Sequence, residues 1–180
     1  MVTSDQKIKA FEYLVLRLVE WFDESVDYQL ENDISTLKAL KLLFFVSSVG
    51  AVKDSTETLL DSTFNNFVAM PYGHVESEIY DAMKNGGVTN IKIDKSKTVI
   101  LNLVAILELH QDIKTKIDLA IETLKKTNYK IINYSSFELV ELSHKWFSWK
   151  KNYQKALGSN VFMHKILISD IKSEDKFYQI

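Results

Sequence analysis

Apolar residues recur at spacings of three and four through most of this chain, and that rhythm predicts helices. The first runs from Thr3-Ser4-Asp5, residues suited to a helix N-cap, through the stripe Ile8, Phe11, Leu14, Val15, Leu18 and Phe22, with fraying expected near Asp27–Leu30. The second opens at Ser35-Thr36 and carries Leu37, Leu40, Leu43, Phe44 and Val46, so that it is apolar nearly all round apart from Lys38 and Lys41. A helix of that kind belongs in the middle of a bundle, and Gly50 supplies its stop. Lys53–Ser62 is polar around Leu59-Leu60 and reads as a short helix or a loop.

The stretch Phe67–Tyr80, FVAMPYGHVESEIY, contains the only proline, Pro71, and Gly73 two residues later. Proline fixes its own φ and extends the residue before it, whereas glycine takes φ > 0 without penalty. The pair predicts a sharp turn with Gly73 at positive φ. The turn is expected to feed a helix bearing Val75, Ile79 and Met83 on one side, with His74 at or near its N-cap. Asn85-Gly86-Gly87 ends that helix, and Val88–Val99 alternates apolar and polar residues in its first half. A strand near Ile91–Ile93 has no evident partner, so the stretch is expected to be an extended loop. Helical spacing resumes at Leu103, Ile106 and Leu107 and continues through Ile113, Ile117, Ile121 and Leu124, as one helix or as two broken near His110-Gln111-Asp112. Ser135-x-x-Glu138 is a capping box. Gly158 ends the next helical piece, and Ile166, Ile168, Ile171 and Phe177 mark a short amphipathic tail. These elements predict an all-α, mainly helical bundle of six to eight helices with at most one short strand pair. With no repeat or Pro/Gly-rich linker, residues 1–180 form a single domain in this reading.

Composition narrows the function classes. At 180 residues and 46% hydrophobic content the chain can fill one core, and its net charge of −2 provides no global attraction to nucleic acid or anionic membrane. The absence of cysteine excludes thiol chemistry and disulfides and suits a cytoplasmic setting. The N-terminus lacks the apolar core of a signal peptide, and the longest apolar run, Thr98–Leu109, is interrupted by Asn102 and Glu108.

Candidate chemistry is sparse. The four histidines, at 74, 110, 144 and 164, have no metal-ligand spacing, and no phosphate-loop, dinucleotide or nucleophile-elbow motif occurs. Two features remain: the Tyr72-Gly73-His74-Val75 turn and the cluster His144, Trp146 and Trp149. Tryptophan and histidine placed together suit an interface as well as a core. The turn and the Ser143–Trp149 segment are expected to meet, because a Pro/Gly bend exposes backbone groups that His144 and the indoles can satisfy. Two other classes stay open. A small enzyme would use His144 or His74 as a general base, and a nucleic-acid regulator would use Lys145, Lys150, Lys151 and Lys155 beside Trp146, Trp149 and Tyr153.

The order of motifs resembles the Panacea domain family, also called the SocA-like or phage-associated GepA-like domain. LKALKLLFFVSSVG resembles its early LxKLLYF helix, and Ala69–Val75 with Ile79-Tyr80 resembles its AWxYGPV…VY motif. Leu139–His144 with Trp149 resembles its LxxLTHxxxxW motif, although Met70 and His74 stand where the family usually has tryptophan and proline. The resemblance implies an antitoxin of a toxin–antitoxin system, a binding module without catalysis or cofactor. Its expected partner is a protein toxin encoded by a neighbouring gene and, in the branch that acts as a proteolytic adaptor, a AAA+ protease. Membrane and nucleic acid are not expected partners. On this resemblance the partner-binding residues are Tyr72, Gly73, His74, Val75, Tyr80, His144, Trp146 and Trp149.

Overall fold

The second predicted helix is the axis of the fold. In the computed structural model, which describes residues 2–26 and 30–180, it spans Thr36–Ser48 (α2), and every residue from Lys38 to Ser48 is buried. The side chain of Ser35 accepts from the Lys38 amide and starts the helix. In front of it lies α1 (Ser4–Ser25), opened by a capping box between Thr3 and Gln6 and burying Phe11, Leu14, Leu18 and Trp21. The fraying expected from Asp27 falls on residues 27–29, outside the described residues. After α2 come α3 (Leu59–Ser62), then strands β1 (Phe67–Met70) and β2 (Gly73–Glu76), then α4 (Ser77–Lys84).

Strands β3 (Ile91–Ile93) and β4 (Thr98–Ile100) follow, and α5 (Leu103–Leu107) and α6 (Gln111–Thr127) are separated at His110. A 3-10 turn (Tyr129–Asn133) leads to α7 (Ser136–His144), opened by the predicted Ser135–Glu138 capping box. The chain then forms α8 (Phe147–Gly158), a two-residue strand β5 (His164–Lys165) and α9 (Ile168–Ser173). The chain is mostly helical, and α2 packs against β2, α7 and α6.

Two expectations need correction. Instead of at most one strand pair there are two small sheets, one of three strands in the order β2-β1-β5 and one of two, β3-β4. In addition, nine α-helices rather than six to eight occur among the described residues. Both β1 and β2 are buried along their whole length, which removes the apolar–polar alternation that marks a strand in sequence. The Val88–Val99 stretch, expected as a loop, supplies β3, and its partner is β4 in the register Ile91↔Ile100. Asp94 closes this hairpin by accepting from the Ser96 and Lys97 amides, while Asn32 bonds both backbone groups of Thr98.

The Phe67–Tyr80 stretch is likewise a hairpin before it is a helix. Phe67↔Glu76 through Met70↔Gly73 pair antiparallel, and Pro71-Tyr72 connect them. Helix α4 therefore begins three residues beyond His74, and the residue capping it is Glu76, whose carboxylate accepts from the Ile79 amide at 2.9 Å. His74 is thus a strand residue and not a cap. Glu76 is buried and also receives the Lys7 ammonium at 2.9 Å, which ties the hairpin to α1. Burial pushes the Glu76 carboxyl up, against the opposing pull of its bond to Lys7.

Candidate partner-binding site around the hairpin turn

The hairpin turn is held by side chains from two segments distant in sequence. Gly73 sits at φ +97°, and a Cβ built there would lie 2.4 Å from the Oγ of Ser143 and 2.9 Å from its Cβ. Glycine is therefore required twice, for the backbone conformation and for the approach of α7. Next to it, His74 presents its backbone to the edge of β2, where no further strand pairs. Its N–H donates to Ser143 Oγ at 3.1 Å, and its carbonyl accepts from the Lys41 ammonium. Side chains of α7 and α2 satisfy this sheet edge in place of a strand.

The His74 ring continues the network inward. Nδ1 is 2.9 Å from Ser143 Oγ and Nε2 is 2.8 Å from Ser148 Oγ. The imidazole stacks on Phe44 with centroids 3.7 Å apart and meets Trp146 edge-on. Burial, reinforced by the positive charge of Lys41, pushes its pKa well below the usual histidine range, so the ring is neutral. A neutral imidazole has one donor and one acceptor, and the two hydroxyls complement both. Lys41 lies in the same interior, and burial lowers its pKa to about 7. The Ser148 amide donates to Glu174 at 2.8 Å, which caps α8 where Trp146 provides no side-chain cap. Burial raises the Glu174 carboxyl.

Outside this buried layer stands an aromatic one. His144 donates from Nε2 to the Pro71 carbonyl at 3.1 Å, and the Trp149 indole donates to the Met70 carbonyl at 2.8 Å. The Trp149 ring is flanked by His144 on one side, at 3.7 Å and 13°, and by Tyr153 on the other, at 5.0 Å and 15°. Burial lowers the His144 pKa, with Lys41 adding to the effect, which favours the neutral ring. Tyr72, at the tip of the turn, is 56% exposed.

The expected meeting of the Pro71–Val75 turn with the Ser143–Trp149 segment is therefore found in the structure, across more than seventy residues of chain. The eight residues singled out in sequence divide into two layers. Gly73, His74, Val75 and Trp146 are buried, with Trp146 donating to the Phe177 carbonyl at 3.1 Å. Tyr72 is exposed, His144 and Trp149 are half-buried at the rim, and half-buried Tyr80 packs on Val68, Met70 and Val75 across the hairpin. Sequence reasoning assigned no part in this site to Lys41, Ser148 and Glu174, placed Ser143 only at the edge of the expected segment, and named Tyr153 only for the nucleic-acid alternative. Of the three unassigned residues only Lys41 carried a signal, as one of two lysines inside an otherwise apolar helix.

The two imidazoles do not face one pocket. His74 is enclosed between Phe44 and Trp146, whereas His144 lies against Trp149 on the rim, and neither bonds a carboxylate. No group of three or more potential metal ligands converges among the described residues. Nor is any of their helices long and apolar enough to cross a membrane. Comparison with known families gives a match to the model described as antitoxin SocA-like, Panacea domain, over residues 40–150, which is more than half of the chain. The match runs from α2 into α8 and includes the hairpin, Ser143, His144 and Trp149. No curated protein and no solved structure matches the chain.

Proposed function

The chain belongs to the antitoxin SocA-like, Panacea domain family, and from that premise we propose that it neutralises a protein toxin by binding it directly through the surface around the Pro71-Tyr72 turn. The observation that carries this reading is the convergence of two family-like motifs on one turn, with a buried layer that fixes it and an exposed layer that can touch a partner. His74, Ser143 and Lys41 hold the β2 edge, while Tyr72, His144 and Trp149 are presented outward by it. A site pre-organised in this way spends little of its binding energy on ordering side chains. Gly73, His74, Val75 and Trp146 belong to the site as its support, and Tyr80 as its flank. The proposed toxin is the product of a neighbouring gene, met in the cytoplasm, and the proposed role is binding without catalysis.

The test is co-expression. The neighbouring gene product alone should arrest growth, and the chain should restore it. Tyr72→Ala and His144→Ala should stay folded by thermal melt and lose protection. Full protection by both folded variants would remove the turn from the interface. Toxin half-life separates two routes to neutralisation. A toxin that persists in complex indicates steric block, and one that disappears only when a AAA+ protease is present indicates delivery for degradation.

A further inference from the structure

The matched region stops at residue 150, inside α8, yet the chain that follows returns to the hairpin. Strand β5 pairs antiparallel with β1 in the register Val68↔Lys165 and Ala69↔His164. The pairing ends at His164, and because the strands are antiparallel the chain enters β5 from the Met70 end of β1, so that Phe162 and Met163 precede the strand on the side where Trp149 and His144 bond the turn. Phe162 is 65% exposed and Met163 44%. Along α8, Leu157 follows Trp149 and Tyr153 at spacings of four, so it extends the same face, and it too is exposed. Apolar side chains so large and so exposed, on the helix face that carries Trp149 and on the segment that enters β5, mark an interaction surface.

Along the chain the charge of this segment is one-sided, with Glu141 at its start facing His144. Between Glu141 and Asp170 there is no acidic residue, whereas five lysines and two histidines occur, in a chain whose net charge is −2. Lys145, Lys150, Lys155 and Lys165 are exposed, and Lys151 is paired with Asp170 at 3.1 Å. A basic and aromatic surface also suits single-stranded nucleic acid, which binds by laying bases on open ring faces. Here Trp149 has no open face, since His144 covers one side and Tyr153 the other.

We infer that the segment from Leu157 to Lys165 completes the partner surface and selects the partner, seating an apolar projection of the toxin on Phe162 and Met163 within an acidic rim that meets Lys145 and Lys150. The inference rests on the antitoxin reading and adds to it the chemistry of the partner and the part of this chain that recognises it. The lysines steer association and the apolar pair holds the complex.

The experiment measures binding of the full chain to the purified neighbouring gene product, its affinity by calorimetry and its association rate by stopped-flow fluorescence, alongside growth protection. Phe162→Glu with Met163→Glu should weaken affinity by ~30-fold or more, as loss of an interface hot spot does. Lys145→Glu with Lys150→Glu should slow association by roughly 10-fold at low salt and by less at high salt. Val104→Glu, at an apolar position 72% exposed on α5, is the control and should leave binding and protection unchanged. All the substituted positions are at the surface, and thermal melts check that each variant is folded. If the wild-type chain protects and the Phe162/Met163 variant binds equally well, the inference is overturned and the antitoxin reading stands. If the wild-type chain neither binds nor protects, both fall. A labelled single-stranded oligonucleotide bound by the wild-type chain and released by the same substitutions would replace the protein partner with nucleic acid and overturn the inference.

Discussion

Gly73→Ala is the sharpest test of the site, because two separate costs fall on one methyl group. The first is conformational. At φ +97° an L-residue is strained by about 1–2 kcal/mol. The second is steric. The added Cβ would lie 2.4 Å from Ser143 Oγ and 2.9 Å from its Cβ; turning the hydroxyl relieves only the first, so the hydroxyl must leave His74 and α7 must shift away from β2. That movement breaks the 3.1 Å bond from the His74 amide and the 2.9 Å contact with its ring, each worth about 1 kcal/mol. The expected loss is therefore about 3 kcal/mol or more, or a fall in Tm of roughly 6–12 °C for a chain of this length. Gly86→Ala is the internal reference. Gly86 also has positive φ, +71°, but a Cβ there meets nothing within 4 Å, so it carries the first cost alone. Adding Ser143→Gly to Gly73→Ala removes the clash but not the strain, and should recover part of the loss as a coupling of ~1 kcal/mol. Thermal and urea melts of these three variants and of Ser143→Gly alone give these differences. If Gly73→Ala loses no more than Gly86→Ala, the close approach of α7 to the turn is wrong, and with it the account of how the turn is held.

Three further outcomes follow from the buried groups. Lys41 is fully buried with its pKa lowered to about 7, so between pH 7 and its unfolded value the unfolded chain carries one more proton, and stability rises with pH across that window; Lys41→Met should flatten that part of the Tm–pH profile, and an unchanged profile would mean that Lys41 is not buried without a counter-charge. His74, held neutral well below its ordinary pKa, should make the fold lose stability as pH drops below about 6.5, where only the unfolded chain gains the proton; His74→Gln should reduce that acid sensitivity, and equal acid sensitivity in the variant would locate the effect elsewhere. Glu174→Ala removes the acceptor of the Ser148 amide, so it should cost about 1–2 kcal/mol and raise hydrogen exchange at the first turn of α8, an effect absent if water or another group caps that helix as well.

The helical frame was legible because its signals are local. Capping residues at Thr3, Ser35 and Ser135 and apolar spacing along α1, α2 and α6 each fix an element without reference to the rest of the chain. The sheets were not legible, because their evidence is distributed. β1 and β2 are four residues each and buried on both faces, so the even-spaced pattern is absent, and β5 has only two residues. The site was half legible. Pro71, Gly73, His144 and Trp149 stand out as residue types with special geometry, and their convergence followed from asking where the turn's backbone bonds go. Ser143 and Ser148 carry no such mark, since a serine in a helix is ordinary until a buried imidazole is placed between two of them. Burial of His74, Gly73 and Trp146 was hidden for a related reason: the same aromatic and polar types serve a core and an interface equally well.

The polar network beneath the turn is better understood as setting register than as adding stability. A buried lysine and a buried histidine each carry a desolvation cost that apolar side chains of the same shape would avoid. A hairpin with four-residue strands buried on both faces has, however, little in its own pattern to choose one pairing over a slip by one residue. Ser143 and Lys41 resolve that choice, because they meet the N–H and the carbonyl of a single residue, His74, and a β2 slipped by one residue would place there a residue whose N–H and carbonyl point toward β1. His144 and Trp149 do the same for β1 by bonding two successive carbonyls, those of Pro71 and Met70. The turn is thereby fixed at four backbone atoms from three helices, and Tyr72 is carried at one defined place on the surface. A recognition surface that must fit a partner needs that definition more than it needs the last increment of stability.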